Sequence, residues 1–499
     1  MKKILLPALV LAAAGCCLLP SVGPDYKSPD MDGLPAYAMP DAGYPTTNRT
    51  EVGEWKPAEG DADVRTLVTT NDIQGWWRRF DDGILTNLVA SAVSSNLSFR
   101  MACQRLEASA WTLFGSYAAF MPQVTMGANG TMGHYERYTS SQNGTWRSTG
   151  SKRNYGDRFR VGFDASWEID VFGGNRRANE AAWAEWEAAG LGVADAWVTL
   201  TSEVGREYIQ LRTTQQRIAV ARTNLVLQTE TYEILKSRFD SGIGDELAVN
   251  QSKYVVDQTH ATIPPLLAEE ERLLNAIAVL VGDIPGSRHD ELKACPDRDW
   301  LLDPEKVAEV PLDMIRARPD VRVAERRLAA QTAKVGVAKA LWFPKLYING
   351  TLGLESVKVH KLFGKGDFYG TIGPAISWPI FQGGSIYANV KAEEARMDEA
   401  VLAYESAVQE AYREVRDAYA AYTQQYHRYQ ALQGAVKAAQ DAVAISNDLY
   451  KNGLRDFTAV IDAQRSLLAL EEALVISRGQ ITINLIALYK ALGGGILAD

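Results

Sequence analysis

The sequence predicts an α+β chain made by internal duplication, in which four short amphipathic strands are joined to unusually long helices. Three observations carry this. Landmark residues recur at one large spacing. Two proline-free runs of nearly 70 residues keep an apolar stripe at helical period. Four shorter runs, two in each half, alternate apolar with polar residues.

The duplication is read first. Trp167 and Trp378, Gly242 and Gly453, Asp245 and Asp456, and Gly282 and Gly493 are each 211 positions apart, whereas Pro122 and Pro344 are 222 apart. The first half therefore carries 11 extra residues between its proline and its tryptophan. Each half reads as helix, proline, hairpin, Gly-Gly, long helix, glycine turn, helix. The first repeat is expected over 76–282, with a hairpin at 122–170, a long helix at 175–240 and a helix at 245–281. A linker follows at 283–310. The second repeat is expected over 311–499, with a helix at 311–341, a hairpin at 344–381, a long helix at 384–451 and a helix at 456–492.

In the second long helix Val401, Tyr404, Val408, Tyr412, Val415, Tyr419, Tyr422, Tyr426 and Tyr429 follow at spacings of three or four, one face of a helix as in coiled-coil packing. Val193, Trp197, Val204, Tyr208 and Leu211 repeat the stripe in the first half. Packing between helices accounts for this stripe better than ligand binding. A continuous helix of such a run reaches roughly 100 Å at 1.5 Å per residue. Gly242 and Gly453 suit the left-handed position that closes a helix, and Asp245 and Asp456 suit the N-cap of the next, giving two tight helix-turn tips. At the other pole Pro122 and Pro344 push Met121 and Phe343 out of helical conformation.

Extended segments follow each proline. Val124, Met126 and Ala128 alternate with polar residues or glycine, as do Phe159, Val161, Phe163, Ala165 and Trp167. The second half gives Leu346, Ile348, Gly350, Leu352 and Leu354, then Ile372, Pro374, Ile376 and Trp378. Each run is close to the roughly 9–11 residues that cross a bilayer as a tilted strand. A sheet in water with one buried face gives the same alternation. Four strands do not close a barrel, for which about eight is the minimum, but three copies supply about twelve. The expected fold is therefore a trimeric 12-stranded transmembrane β-barrel, four strands per protomer, continuing into a long α-helical barrel. The stretch from His134 to Asp157, rich in Ser, Gly, Asn and Arg, reads as a surface loop holding most of the extra residues.

The N-terminus has Lys2 and Lys3 before an apolar run, Ile4 to Ala14, too short to span a bilayer and typical of a secretory signal over 1–15. Ala13-Ala14-Gly15-Cys16 resembles a lipobox, which makes Cys16 the expected lipid anchor; cleavage of an ordinary signal after Ala14 or Gly15 is the alternative. Residue 17 is Cys rather than an Asp that would favour the inner membrane. Residues 16–75, with frequent Pro, Gly and Asp, read as an extended segment wrapping neighbouring helices. Cys103 and Cys295 are too few and too distant for a disulfide framework; they either pair or stay free. A net charge of −9 with no basic block argues against nucleic acid. The five His residues are scattered, with no HExxH, GxSxG or nucleotide-binding loop, so no catalytic residue, metal site or cofactor is expected.

Several motifs together resemble the outer membrane efflux protein family, the TolC-like channels, in its lipoprotein branch. They are Gly23-Pro24-Asp25-Tyr26, Trp76-Trp77 with Phe80-Asp81-Asp82, Arg316-Ala317-Arg318-Pro319-Asp320-Val321, Pro379-Ile380-Phe381-Gln382-Gly383-Gly384, Ile461-Asp462-Ala463-Gln464-Arg465-Ser466-Leu467 and Tyr489-Lys490-Ala491-Leu492-Gly493-Gly494-Gly495. The resemblance implies a homotrimer in the outer membrane, a periplasmic adaptor protein and an inner-membrane RND-type pump as partners, and a closed periplasmic tip. Tyr450, Arg455 and Asp462 match positions that hold such a tip closed or line its narrowest ring. Asp456 stands beside them, where a simple N-cap is the better account. Three Asp462 side chains meeting on a three-fold axis would repel one another and favour cations. Ala248 occupies a position where the family can place an Asp, so the partner of Arg455 is left open between Asp245 and Glu246. Two competing readings remain: export of proteins, and a purely structural periplasmic coiled-coil protein.

Overall fold

The computed structural model describes residues 21–28, 75–132, 134–135, 138–140, 146–148, 154–155, 157–293, 315–364, 367–452 and 454–495. Cys16, Cys17, Cys295, Gly453, most of the 16–75 segment and most of the linker lie outside them. The chain divides into two compact units. The first comprises Met1–Pro29, Glu107–Glu187 and Glu325–Leu402; the second comprises Asp30–Leu106, Ala188–Ala324 and Ala403–Asp499.

In chain order, a short 3-10 turn at Trp76–Phe80 leads to α1 (Gly83–Ser95) and α2 (Leu97–Tyr117). Strands β1 (Gln123–Thr131), β2 (His134–Tyr135), β3 (Tyr138–Ser140), β4 (Trp146–Ser148), β5 (Asn154–Tyr155) and β6 (Arg158–Ile169) follow. Next come α3 (Gly174–Asp240), α4 (Glu246–Leu280), the single turn α5 (His289–Leu292) and α6 (Pro319–Ala340). The second hairpin is β7 (Lys345–Ser356) and β8 (Asp367–Ser377), and α7 (Ser385–Lys451) and α8 (Phe457–Ala491) complete the chain. Helices α3 and α7 have 67 residues each and α4 and α8 have 35 each, every one starting 211 positions from its counterpart. The duplication is thus carried down to element length.

Two expectations are corrected. The stretch His134–Asp157 is not all loop, because β2 pairs with β5 and β3 with β4, prolonging the first hairpin. Its Ser, Gly and Asn content gives no apolar alternation by which the strands could be read. The opening helix of the first repeat is broken at Asn96. The Asn96 side chain accepts from the Phe99 N–H at 2.9 Å and donates to the Leu280 carbonyl at 2.9 Å, capping α2 and the end of α4 together. In α4, Pro264 and Pro265 sit inside the helix on its exposed side, where missing N–H groups cost least.

The second unit carries the main core. Trp76 is fully buried, stacks on Tyr489 with centroids 5.9 Å apart, and meets Trp77 and Phe80 edge-on. Around it pack Leu85, Leu88, Val204, Tyr208, Leu273, Ile277 and Leu485. Asp82 caps α1 through the N–H groups of Ile84 and Leu85 and accepts from the Tyr208 hydroxyl at 2.7 Å. Tyr404, Val408 and Val415 of the α7 stripe pack with Ile315, Val321 and Leu488, and Tyr422 joins the Trp76 cluster, so the stripe serves helix packing. Buried Arg318 donates to the Ala491 carbonyl at 2.6 Å and to Asp320 and Glu414, fastening the end of α8 to the start of α6. Among the described residues no helix is long and apolar enough to cross a membrane.

Candidate functional site

The first unit holds one four-stranded antiparallel sheet in the order β1-β6-β7-β8. The register brings the alternating apolar residues of all four strands onto one face. Met126 lies opposite Phe163, Phe163 opposite Leu352; Trp167 lies opposite Ile348, and Ile348 opposite Pro374. This face is bare. Ile372 is 82% exposed, Ile376 73%, Phe368 72% and Met126 69%. A sheet folded in water around a core buries such a face, so the alternative of one buried face does not describe this one. Residues of this kind are stable facing hydrocarbon.

The opposite face is polar, and several of its charges are paired. Glu355 receives Arg158 at 3.0 Å and Arg160 at 2.5 Å, and Lys345 meets Glu168 at 3.1 Å. Ser166 donates to Asn349 at 2.9 Å, and the Thr351 and Thr371 hydroxyls are 2.8 Å apart. Gly162 and Gly353 sit side by side beneath the Tyr369 ring; a Cβ on Gly162 would lie 2.6 Å from the Leu352 carbonyl oxygen and one on Gly353 would meet the Val161 carbonyl oxygen closer still, with Tyr369 closing the space above. The Arg160 guanidinium lies 5.5 Å from that ring. The alternation of the returning strand puts Arg160 and Gly162 on the polar side, but nothing in the sequence anticipates the ring covering the glycines.

Both strand pairs end on the same device. The Trp167 indole donates to the Phe120 carbonyl at 2.9 Å, and the Trp378 indole donates to the Trp342 carbonyl at 3.0 Å. Each ring is fixed at the foot of the sheet, where an interfacial aromatic sits. Residues 21–28 lie against the same unit. The Val22 N–H donates to the Phe172 carbonyl at 3.1 Å, Arg177 pairs with Asp25 and Glu180, and the Tyr26 hydroxyl donates to Glu325 at 3.1 Å. Burial and the neighbouring Glu325 push the Tyr26 phenol up to about 12, so it stays a donor. Gly23 has φ +104°, and a Cβ there would lie 2.5 Å from the Gly336 Cα. The Gly-Pro-Asp-Tyr motif is therefore a strap whose glycine is dictated by backbone contact.

In the second unit, the tip residues gather around one apolar cluster of Leu235, Ala248, Val255, Phe457, Val460 and Ile461, with Tyr450 packed against it. The Tyr450 ring is 5.2 Å from Phe457, and the Arg238 guanidinium lies 5.9 Å from Tyr450. Gly242 has φ +76°; its N–H donates to the Phe239 carbonyl and the Ile243 N–H to the Arg238 carbonyl, the paired bonds that close a helix on a left-handed glycine. In the second repeat the Leu454 N–H donates to the Leu449 carbonyl at 2.9 Å, the counterpart bond, around Gly453 outside the described residues. Asp245 caps α4 through the Leu247 N–H at 3.0 Å. Asp456 holds the N-cap position of α8, but its side chain makes no capping bond, which corrects the expectation of a simple N-cap. Arg455 is exposed and pairs with neither Asp245 nor Glu246. Ala248, where an Asp was one possibility, is buried against the apolar cluster. Asp462 is exposed on α8. Phe457 was missed by sequence reading, although its place directly after Asp456 puts it at the first turn of α8.

A sheet with a bare apolar face, a polar face and two open edges defines a subunit of a membrane-spanning β-barrel channel. The chain belongs to the outer membrane efflux protein family, whose model matches residues 88–283 and 311–494. It is similar to nodulation protein T of Rhizobium leguminosarum bv. trifolii, 29% identical over 470 residues, covering 94% of this chain and 92% of that protein. It is likewise 29% identical to outer membrane protein OprJ of Pseudomonas aeruginosa over 425 residues, 84% of this chain and 86% of that one. Among solved structures, the outer-membrane channel OprN is 31% identical with a TM-score of 0.78, covering 95% of this chain and 99% of that one. The protein is an outer-membrane efflux channel subunit, with the α+β fold of that family. Family and relatives are transport proteins rather than enzymes.

Proposed function

We propose that three copies of this chain close a twelve-stranded barrel and form the passive exit duct of a tripartite system that carries small molecules, such as drugs, toxic compounds or metals, across periplasm and outer membrane. Each copy is held to the outer membrane by acyl chains on Cys16. A periplasmic adaptor opens the tip, and an inner-membrane RND-type pump supplies the energy. The chain itself performs no catalysis. The observation that carries this reading is the uncovered apolar face continuous over four strands in register. The polar face supports it: side chains that carry charge or hydrogen-bonding groups suit the wall of a water-filled path.

Tyr450, Arg455 and Asp462 are the gate residues of this reading, with Gly242 and Gly453 shaping the two turns and Asp456 free beside them. Tyr450 acts through its ring, packed on Phe457. Arg455 and Asp462 are exposed on the protomer; Arg455 finds its partner on a neighbouring copy, while the three Asp462 carboxylates converge at the axis and favour cations. The domain boundaries given above belong to the same proposal.

The native mass of protein extracted from outer membranes in mild detergent, corrected for bound detergent, tests the assembly. A trimer is expected, and a monomer stable across detergents would overturn it. For the anchor, wild type should incorporate labelled palmitate and Cys16→Ser should not; equal labelling of both would remove Cys16 from that role.

A further inference from the structure

Strands β1 and β8 are the two outer strands of the sheet, each hydrogen-bonded on one side only among the described residues. Under the trimeric reading above, on which this inference rests, the open edge of β8 meets β1 of the next copy. The internal repeat fixes how they meet. Moving β1 by 222 positions and β6 by 211 turns the pair Gln123–Ser166 into Lys345–Ser377, which is the register observed between β7 and β8. The two hairpins are therefore register-equivalent, and each junction between hairpins in a closed barrel is built from the same two strand types.

The junction inside the protomer, β6 with β7, pairs Asp164 with Thr351, Ala165 with Gly350 and Trp167 with Ile348. Applying the same shifts, we infer that β8 pairs with β1 of the neighbouring copy with Ala375 opposite Asn129, Ile376 opposite Ala128 and Trp378 opposite Met126.

Two independent features fit this register. It keeps both faces continuous across the seam, since Ile376 and Trp378 fall beside Ala128 and Met126 on the apolar side; a slip of one residue would turn every side chain to the wrong face. It also explains a difference in strand length. Strand β6 runs three residues past its pairing with β1, through Ile169, because β7 covers it there. Strand β8 stops at Ser377, where its pairing with β7 ends. The inferred register supplies the missing cover: Trp378, Pro379 and Ile380 extend β8 opposite Met126, Thr125 and Val124. Ile380 is 86% exposed in the single chain, and the seam gives it an apolar neighbour.

Slips of two residues keep the faces and are the real competitors. Asn129→Cys combined with Ala375→Cys, in a background with Cys103 and Cys295 changed to Ser, tests the register on the water-filled side. Directly opposed residues have Cβ atoms about 4.5–5.5 Å apart and diagonal ones about 7–8 Å, so only the true pair oxidises readily to a disulfide. After oxidation with copper phenanthroline, this pair should give covalent dimers and trimers on a non-reducing gel at least about tenfold faster than Asn129→Cys with Gly373→Cys or with Ser377→Cys. Faster cross-linking of either control overturns the register and leaves the trimer standing. Absence of cross-links in protein of trimeric native mass also overturns it. A monomeric native mass removes the assembly itself.

Discussion

Replacing Tyr450 by Ala deletes the ring that closes the tip cluster. The ring is half-buried against Phe457 and its neighbours, so about 80 Å² of apolar surface returns to water, worth about 2 kcal/mol at roughly 25 cal/mol per Å². The contact with the Phe457 ring adds about 0.5–1 kcal/mol. If opening forfeits these contacts, which sum to about 2.5–3 kcal/mol, the variant raises the open population by about 60-fold to 140-fold at 1.4 kcal/mol per tenfold. Tyr450→Phe is the control. Its hydroxyl bonds to no other described residue, so the variant should stay within about twofold of wild type. Single-channel recordings in planar bilayers measure the open probability directly. The reasoning fails if Tyr450→Phe opens the channel as much as Tyr450→Ala, because the hydroxyl and not the ring would then be the latch. It fails equally if Tyr450→Ala leaves the open probability unchanged.

Asp462→Ala should weaken cation selectivity, moving the reversal potential in a KCl gradient toward zero; an unmoved potential would take Asp462 out of the narrowest ring. Gly23→Ala forces a Cβ to within 2.5 Å of the Gly336 Cα and strains a left-handed residue, at a cost of about 1–3 kcal/mol. It should release the strap and speed tryptic cleavage after exposed Lys27 by about tenfold or more, whereas an unchanged rate would mean that the strap does not depend on that contact. Burial, then the nearby Asp320, raises the pKa of the Asp195 carboxyl. A raised carboxyl pKa means that the ionised form costs the folded state stability above that pKa, and the cost vanishes as the pH falls through it. Asp195→Asn should therefore raise the midpoint of thermal unfolding at neutral pH, with the gain shrinking as the medium is acidified; a gain that grew on acidification would contradict the sign.

The strands were legible because a period of two leaves an unmistakable mark, and the register confirmed which residues share a face. The turn at Gly242 was legible because few residues other than glycine accept φ near +76°. What failed to show in the sequence depends on contacts made at a distance. Asn96 breaks a helix because it reaches the Leu280 carbonyl, a partner 184 positions away. The covering of Gly162 and Gly353 by Tyr369 depends on register across three strands. The Asp456 side chain, suited to capping by type, is left free because backbone geometry alone does not oblige it to bond. Arg455 has no partner among the described residues, and Ala248, the nearby position that could have held an acid, serves packing instead.

The strap also sets a length. Val22 is tied to the Phe172 carbonyl at the foot of the sheet, and only six peptide links separate it from Cys16. A fully extended chain covers at most about 3.6 Å per residue, so the acyl chains proposed on Cys16 would enter the bilayer within roughly 20 Å of that carbonyl. A leash this short does more than keep the protein from diffusing away. With that anchor it would act as a depth gauge, holding one membrane leaflet level with the tryptophans at the ends of the strands before any neighbouring copy has arrived.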